Sequence, residues 1–320
     1  MGSARAGRAQ VSYAFSMPTF DFPTWLLSAL LAPFGLVLGS FANVLIHRLP
    51  LEDPAERDVV RKPSHCPGCQ ARIRPWHNVP LLSWIWLRGR CAACGWRIPV
   101  RYPLVELLAG LLFAGSVWVF PFGTLIWAKG LLCGYALIVL FWTDRTAFIL
   151  PDTLQFPLMA IGLLCTLPQL AWPLHLTTIW APGLTLLRVE TFANGLQPAP
   201  AWSLMGQPVT WLSSLLGLAV GYLVPAGLNR LYRLIRGTDG IGMGDFKMLA
   251  WLGAFWGWAP MLGILFGGSL LGSAVGLPLL ITRKAGGQTM LPFGCGLALA
   301  TPVVVFYGPA IWSAYMGMMR

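Results

Sequence analysis

Two aspartates stand at the ends of long apolar runs, Asp144 in Trp142-Thr143-Asp144-Arg145 and Asp245 in Gly240-Ile241-Gly242-Met243-Gly244-Asp245-Phe246-Lys247. A carboxylate placed within a bilayer costs about 2.5–3.5 kcal/mol on insertion scales, so an acid in such a position is a functional candidate by default. Glu106 and Asp152, the latter in Leu150-Pro151-Asp152, share that position. Two carboxylates converging at one depth cannot both ionise, so one holds a proton while the other is charged. The charged member can deprotonate a water that attacks a peptide carbonyl; the protonated member can stabilise the oxyanion and then protonate the amine. That is the chemistry of an aspartyl protease. Asp152 and Asp245 equally suit helix N-caps; capping is the better account of Asp152. For Asp245 it is not, because Gly240, Gly242 and Gly244 are expected to permit unusual backbone angles and the close approach of another chain.

A second constellation is Cys66-Pro-Gly-Cys69 and Cys91-Ala-Ala-Cys94, two CxxC pairs separated by 21 residues. This is close to the spacing of a four-cysteine zinc site. Each tight turn delivers two thiolates to one tetrahedral ion, with Gly68 and Gly95 expected to supply the flexible backbone. Four thiolates leave no open position, so the zinc is expected to be structural. Paired disulfides or a redox CxxC are the competing reading, disfavoured in a reducing compartment. His65 and His77 read as ordinary polar surface, and Cys133, Cys165 and Cys295 as small buried hydrophobes without a role.

The elements that must position these groups are apolar helices. A first run, about Trp25 to Ile46, is long enough for the roughly 20 residues a bilayer helix needs, and apolar segments recur at about Pro103 to Phe120, Gly123 to Thr143, Thr153 to Trp172, Val209 to Leu228, Phe246 to Pro260, Met261 to Ile281 and Leu291 to Tyr315. Turns are expected at Pro121 and Pro260. The expected fold is an all-α polytopic membrane protein of about eight transmembrane helices, with a small cytoplasmic zinc-binding loop domain between the first and second. The expected organisation is an N-terminal tail (1–24) with no cleaved signal peptide, a first transmembrane helix (25–47) and the four-cysteine domain (48–102). A transmembrane core (103–320) follows, interrupted by a periplasmic insertion (173–208). Seventeen of the 22 Lys and Arg then fall on one face, which the positive-inside rule makes cytoplasmic; both termini are expected to be periplasmic. Lys129 alone is embedded, near the outer start of its span, where it could snorkel.

With 56% hydrophobic and 10% charged residues the chain is not a soluble globular enzyme, nor is it disordered. The net charge of +11 reports membrane topology, with lipid rather than nucleic acid as the partner. No HExxH, GxSxG or GxxxxGK[ST] is present. The rival from another class is a proton-coupled transporter in which Asp144 and Asp245 relay protons.

From about Gly39 to Pro292 the chain resembles the type IV prepilin peptidases, the bifunctional leader peptidases and N-methyltransferases of type IV pilus and type II secretion systems. The resemblance rests on Gly39-Ser-Phe-Ala-Asn43-Val-Leu-Ile-His47-Arg48-Leu-Pro50, the paired CxxC knuckles, Asp144 with Leu150-Pro151-Asp152, and Gly242-Met-Gly-Asp245-Phe-Lys247. It implies that Asp144 and Asp245 are the catalytic pair, the latter in the GxGD motif shared with presenilin-like intramembrane proteases. It further implies cleavage of prepilins or pseudopilins at the cytoplasmic side of the bacterial inner membrane, after the glycine that ends a short basic leader. Methylation of the new N-terminal residue from S-adenosylmethionine would follow, with the donor site in the cytoplasmic loop near Glu106. The stretch from Pro173 to Pro208 is longer than the connection the family leads one to expect.

Overall fold

The computed structural model describes residues 22–53, 55–120, 122–166, 211–281 and 292–318. Apolar runs of this length satisfy their backbone internally, and helices result: α1 (Thr24–Arg48), α3 (Arg101–Val119), α4 (Leu125–Ala147), α5 (Asp152–Leu164), α6 (Trp211–Arg236), α7 (Met243–Trp256), α8 (Trp258–Ile281) and α9 (Phe293–Met318). A short helix α2 (Leu82–Trp86) and a 3-10 turn (Pro75–Asn78) lie in the segment between α1 and α3. Among the described residues there is no strand, only the isolated antiparallel bridges His65–Arg72 and Arg90–Arg97. Helices α1, α3, α4, α6 and Trp258–Gly276 of α8 are long and apolar enough to cross a membrane, whereas α5 and Phe293–Gly308 of α9 form shorter apolar stretches. Residues 167–210, which hold the expected insertion, lie outside the described residues, as do Pro121 and most of the N-terminal tail.

Helix α7 is the centre of the molecule. Eleven of its 14 residues are buried, and Met248, Leu249, Trp251, Leu252 and Phe255 form the core with Leu140, Leu158, Ile264 and Leu297 from neighbouring helices. It packs against α5, α6, α8 and α9. The outer faces stay apolar, with Leu30 and Phe34 of α1, Leu223 of α6 and Phe266 of α8 all exposed, as lipid rather than water as solvent requires. At about 1.5 Å per residue α7 is roughly 21 Å long, short of the ~30 Å hydrocarbon thickness. Its C-terminal carbonyls therefore end inside protein and need a donor.

Lys129 supplies it. The side chain is buried, and its Nζ donates to the Phe255 carbonyl at 2.7 Å while lying over the Phe255 and Trp256 rings. The expected snorkelling is thus corrected: the lysine turns inward because a helix end waits there. The expected break at Pro260 is also corrected. The chain turns at Gly257, φ +87°, which glycine adopts without steric cost; Pro260 is in the first turn of α8, where a missing N–H costs nothing.

Glycines set the closest helix contacts. On α6, Gly217 and Gly221 face Gly253 and Leu249 of α7, backbone against backbone. On α1, Gly35 and Gly39 meet Ala109 and Glu106 of α3 in the same way. Such small-residue seams let helices approach where lipid gives no hydrophobic incentive to associate.

Candidate active site and metal centre

The structure brings Asp144 and Asp245 together from helices a hundred residues apart. Asp144 is in the last turn of α4 and Asp245 in the first turn of α7; both are buried, and their carboxylates are close enough for the charges to interact. The Cys295 backbone N–H donates to Asp144 Oδ2 at 2.8 Å, and the Gly294 N–H joins it. These amides belong to the first turn of α9, whose N–H groups lack intrahelical partners and whose dipole favours negative charge. The Asp245 carboxylate folds back onto the N–H of Gly242, the residue that caps α7, as the third residue of a capping box does. Asp245 therefore closes its own helix end and still borders Asp144.

Leu150 is wedged beside the pair. A Cβ on Gly244 would lie 3.0 Å from Leu150 Cβ, and one on Gly294 would lie 3.0 Å from Asp144 Oδ2 and 3.1 Å from Leu150 Cδ1. None of Gly240, Gly242 and Gly244 has a positive φ, so the unusual angles expected there are absent. Close approach is what Gly244 provides, against Leu150, while Gly240 packs on the Tyr232 ring. Asn229 of α6 holds the approach to α7: its Oδ1 accepts from the N–H groups of Gly240 (2.7 Å) and Ile241 (3.1 Å).

Asp152 does not cap α5. Pro151 occupies the cap position without a side-chain bond, and Asp152 instead accepts both oxygens' share of Lys247 Nζ, at 2.6 and 2.8 Å. Cys295, given no role by sequence reasoning, contributes through its backbone; a main-chain donor leaves no mark in residue type.

The four thiols form the second cluster. The Sγ atoms of Cys66, Cys69, Cys91 and Cys94 all lie within 4.8 Å of one another, and Cys66 and Cys94 are 3.9 Å apart. Sulfurs at about 2.3 Å from a tetrahedral zinc are separated by roughly 3.8 Å, so the donor set fits that ion. The two knuckles share one backbone plan. Gln70 N–H donates to the Cys66 carbonyl and Gly95 N–H to that of Cys91, with Gln70 (φ +58°) and Gly95 (φ +72°) in equivalent left-handed positions. Gly68, expected to loosen the first knuckle, instead packs on Trp96. Backbone N–H groups of Cys94 and Ala93 draw the Cys91 thiol down to about 7, favouring the thiolate a metal needs.

Between this domain and the ends of α1 and α3 lies a cavity of about 380 Å³, lined among others by Asn43, His47, Trp84, Trp96 and Glu106. Its size falls within the ~300–1,000 Å³ of small-molecule sites. Buried Glu106 accepts from the Leu81 N–H at 2.8 Å and from the Ser40 hydroxyl. Arg48, also buried, donates to the carbonyls of Asp58 (2.5 Å), Lys62 (2.8 Å) and Pro63 (3.1 Å), which ties the loop to the end of α1.

Residues 34–120 match the model of the bacterial peptidase A24 N-terminal domain, and residues 131–277 that of the type IV leader peptidase family. Among curated proteins, a prepilin leader peptidase/N-methyltransferase of Stutzerimonas stutzeri is 34% identical over 89% of this chain and 92% of its own length. Proteins of the same description are 34% identical in Aeromonas hydrophila (91% of this chain, 94% of that protein) and 33% in Pseudomonas aeruginosa (88% and 91%). No solved structure matches the chain.

Proposed function

The chain belongs to the type IV leader peptidase family, and on that premise we propose that it removes the basic leader from type IV prepilins or type II secretion pseudopilins and then N-methylates the new amino terminus. Cleavage falls after a glycine at the cytoplasmic face of the inner membrane. The observation that carries the first activity is the burial of Asp144 and Asp245 side by side at one end of the bundle. The two backbone N–H groups on Asp144 favour its carrying the negative charge, which leaves the proton on Asp245. Asp144 takes a proton from a water between them, and the water oxygen bonds to the scissile carbonyl carbon. Asp245 hydrogen-bonds the carbonyl oxygen as charge develops there, and its proton passes to the departing amine. A substrate whose apolar helix lies in the bilayer and whose basic leader reaches the cytoplasm presents its scissile bond at this boundary.

For the second activity, S-adenosylmethionine would supply an electrophilic methyl group to the freed amine. The cavity beside the knuckles suits such a donor: Trp84 and Trp96 offer faces for a purine, and the Glu106 carboxylate offers a counter-charge for a sulfonium. Zinc held by Cys66, Cys69, Cys91 and Cys94 would be structural, cross-linking a domain too small to build its own core. The proton-relay reading has no support from relatives that cover nine-tenths of the chain and are named as peptidases.

The test is cleavage of a purified prepilin in detergent by the wild type, Asp144→Asn and Asp245→Asn, with product masses read with and without S-adenosylmethionine. Loss of cutting in both variants and a wild-type product heavier by one methyl group with donor are expected. Retained cutting in both variants would make the aspartates structural and end the protease assignment.

A further inference from the structure

We propose that the Asp152–Lys247 ion pair is a positioning clamp that sets Asp245 against Asp144, a role that rests on the peptidase reading above. Lys247 follows Asp245 by two residues on α7 and so projects from a different face of that helix. Its Nζ reaches both carboxylate oxygens of Asp152, the first residue of α5, and lies 5.2 Å from the Phe156 ring centroid one turn further on. The Lys247 side chain is only 14% exposed and Asp152 52%.

What the pair joins gives it meaning. Residues 148–151 connect α4, which carries Asp144, to α5, and Phe148 and Leu150 anchor them. Phe148 N–H donates to the Asp144 carbonyl, Leu150 is wedged against Gly244 and Gly294, and buried Gln155 donates to the Leu150 carbonyl at 3.0 Å. Asp152 then ties this connection to α7 one half-turn from Asp245. The far ends of α5 and α7 are fixed by packing, Gly162 against Ala254 and Phe255. At the near end Leu150 packs closely against the bare backbone of Gly244, and the ion pair joins α5 to α7 beside that contact and holds its register. Half-exposed ion pairs add little to overall stability; this one matters because a misplacement of about 1 Å at reacting groups costs around 10²-fold in rate.

Asp152→Asn and Lys247→Met, and the exchange Asp152→Lys with Lys247→Asp, would be compared in the full-length protein in detergent. Each single substitution is expected to lower kcat about 10- to 100-fold with KM and thermal midpoint near wild type. The exchange is expected to restore most of kcat, because it rebuilds the link with reversed charge. Hydrogen exchange gives a readout independent of turnover: the peptides covering 144–155 and 240–250 lose protection in the single variants and regain it in the exchange. Unchanged kcat and protection in both single variants would overturn the clamp. So would a folded exchange variant as slow as the singles, which would mean one of the two groups meets the substrate itself, or a rise in KM alone, which would make Asp152 a subsite for the basic leader. An inactive wild type on every prepilin offered would defeat the peptidase reading instead, and the exchange data would still decide whether the pair holds the two helices.

Discussion

Replacing Gly221 by alanine tests whether the glycine seam between α6 and α7 sets the height and distance of the site. A Cβ at Gly221 would stand 2.5 Å from the Leu249 carbonyl oxygen, 2.7 Å from its carbon and 3.0 Å from the Ala250 nitrogen. All three are backbone atoms of α7, so no rotamer change relieves the clash. Ordinary contact begins at 3.4 Å, and the helices must part by about 0.9 Å at this point. Overpacking of that kind costs about 1–3 kcal/mol. Leu249 lies one helical turn beyond Asp245, so most of the displacement reaches the carboxylate, and a shift near 1 Å lowers turnover by about 10²-fold. The assay is initial-rate cleavage of a prepilin in detergent, with thermal unfolding measured on the same samples. Gly227→Ala on the same helix is the control, because nothing lies within 4 Å of its Cβ; there the higher helix propensity of alanine makes the change neutral or slightly stabilising. A Gly221→Ala protein with wild-type turnover and midpoint would refute the claim that backbone contact at this seam positions Asp245.

Three further outcomes follow from the geometry. Gly294→Val places a side chain where a Cβ is already 3.0 Å from Asp144 Oδ2, so cleavage should fall about 10²-fold in a protein that still unfolds cooperatively; undiminished cleavage would remove the α9 amides from the site. Lys129→Met deletes the donor to the Phe255 carbonyl and should cost about 1–3 kcal/mol for a buried acceptor left unpaired, read as a lower thermal midpoint, whereas a higher midpoint would show that desolvating the ammonium outweighs its bond. Elemental analysis should find one zinc per chain in the wild type and less in Cys69→Ser, with methylation lost and cleavage kept, because the loop that carries the knuckles is bonded to α1 and α3 through Arg48 and Glu106.

How far residue types reach, and where they stop, is visible in these same groups. The apolar helices α1 and α3 to α9 were legible because lipid demands continuous apolar runs with internally satisfied backbones. The knuckles were legible because CxxC spacing is a local property of a metal turn. Asp144 and Asp245 stood out because a chain with eleven acids in 320 residues has few reasons to place one at a span's edge. The Gly217/Gly221 and Gly253/Gly257 pairs carried a small-xxx-small signal, but glycine is common in membrane helices and the pattern names no partner. The Asp144 contact with the Cys295 amide spans 151 residues of sequence, and a backbone N–H looks alike in every residue but proline. Lys129 shows the limit most sharply. A lysine near a span's outer end reads as a group on its way to water, and only the place where Gly257 stops α7 decides that it turns inward. The same holds for Asp152: beside a proline at a helix start its type fits a cap, and the cation that claims it lies 95 residues away on the helix that carries Asp245. Local chemistry therefore marks which groups are candidates to react and which to bind metal, while the spacing between them is set by long-range contacts that only the folded chain contains.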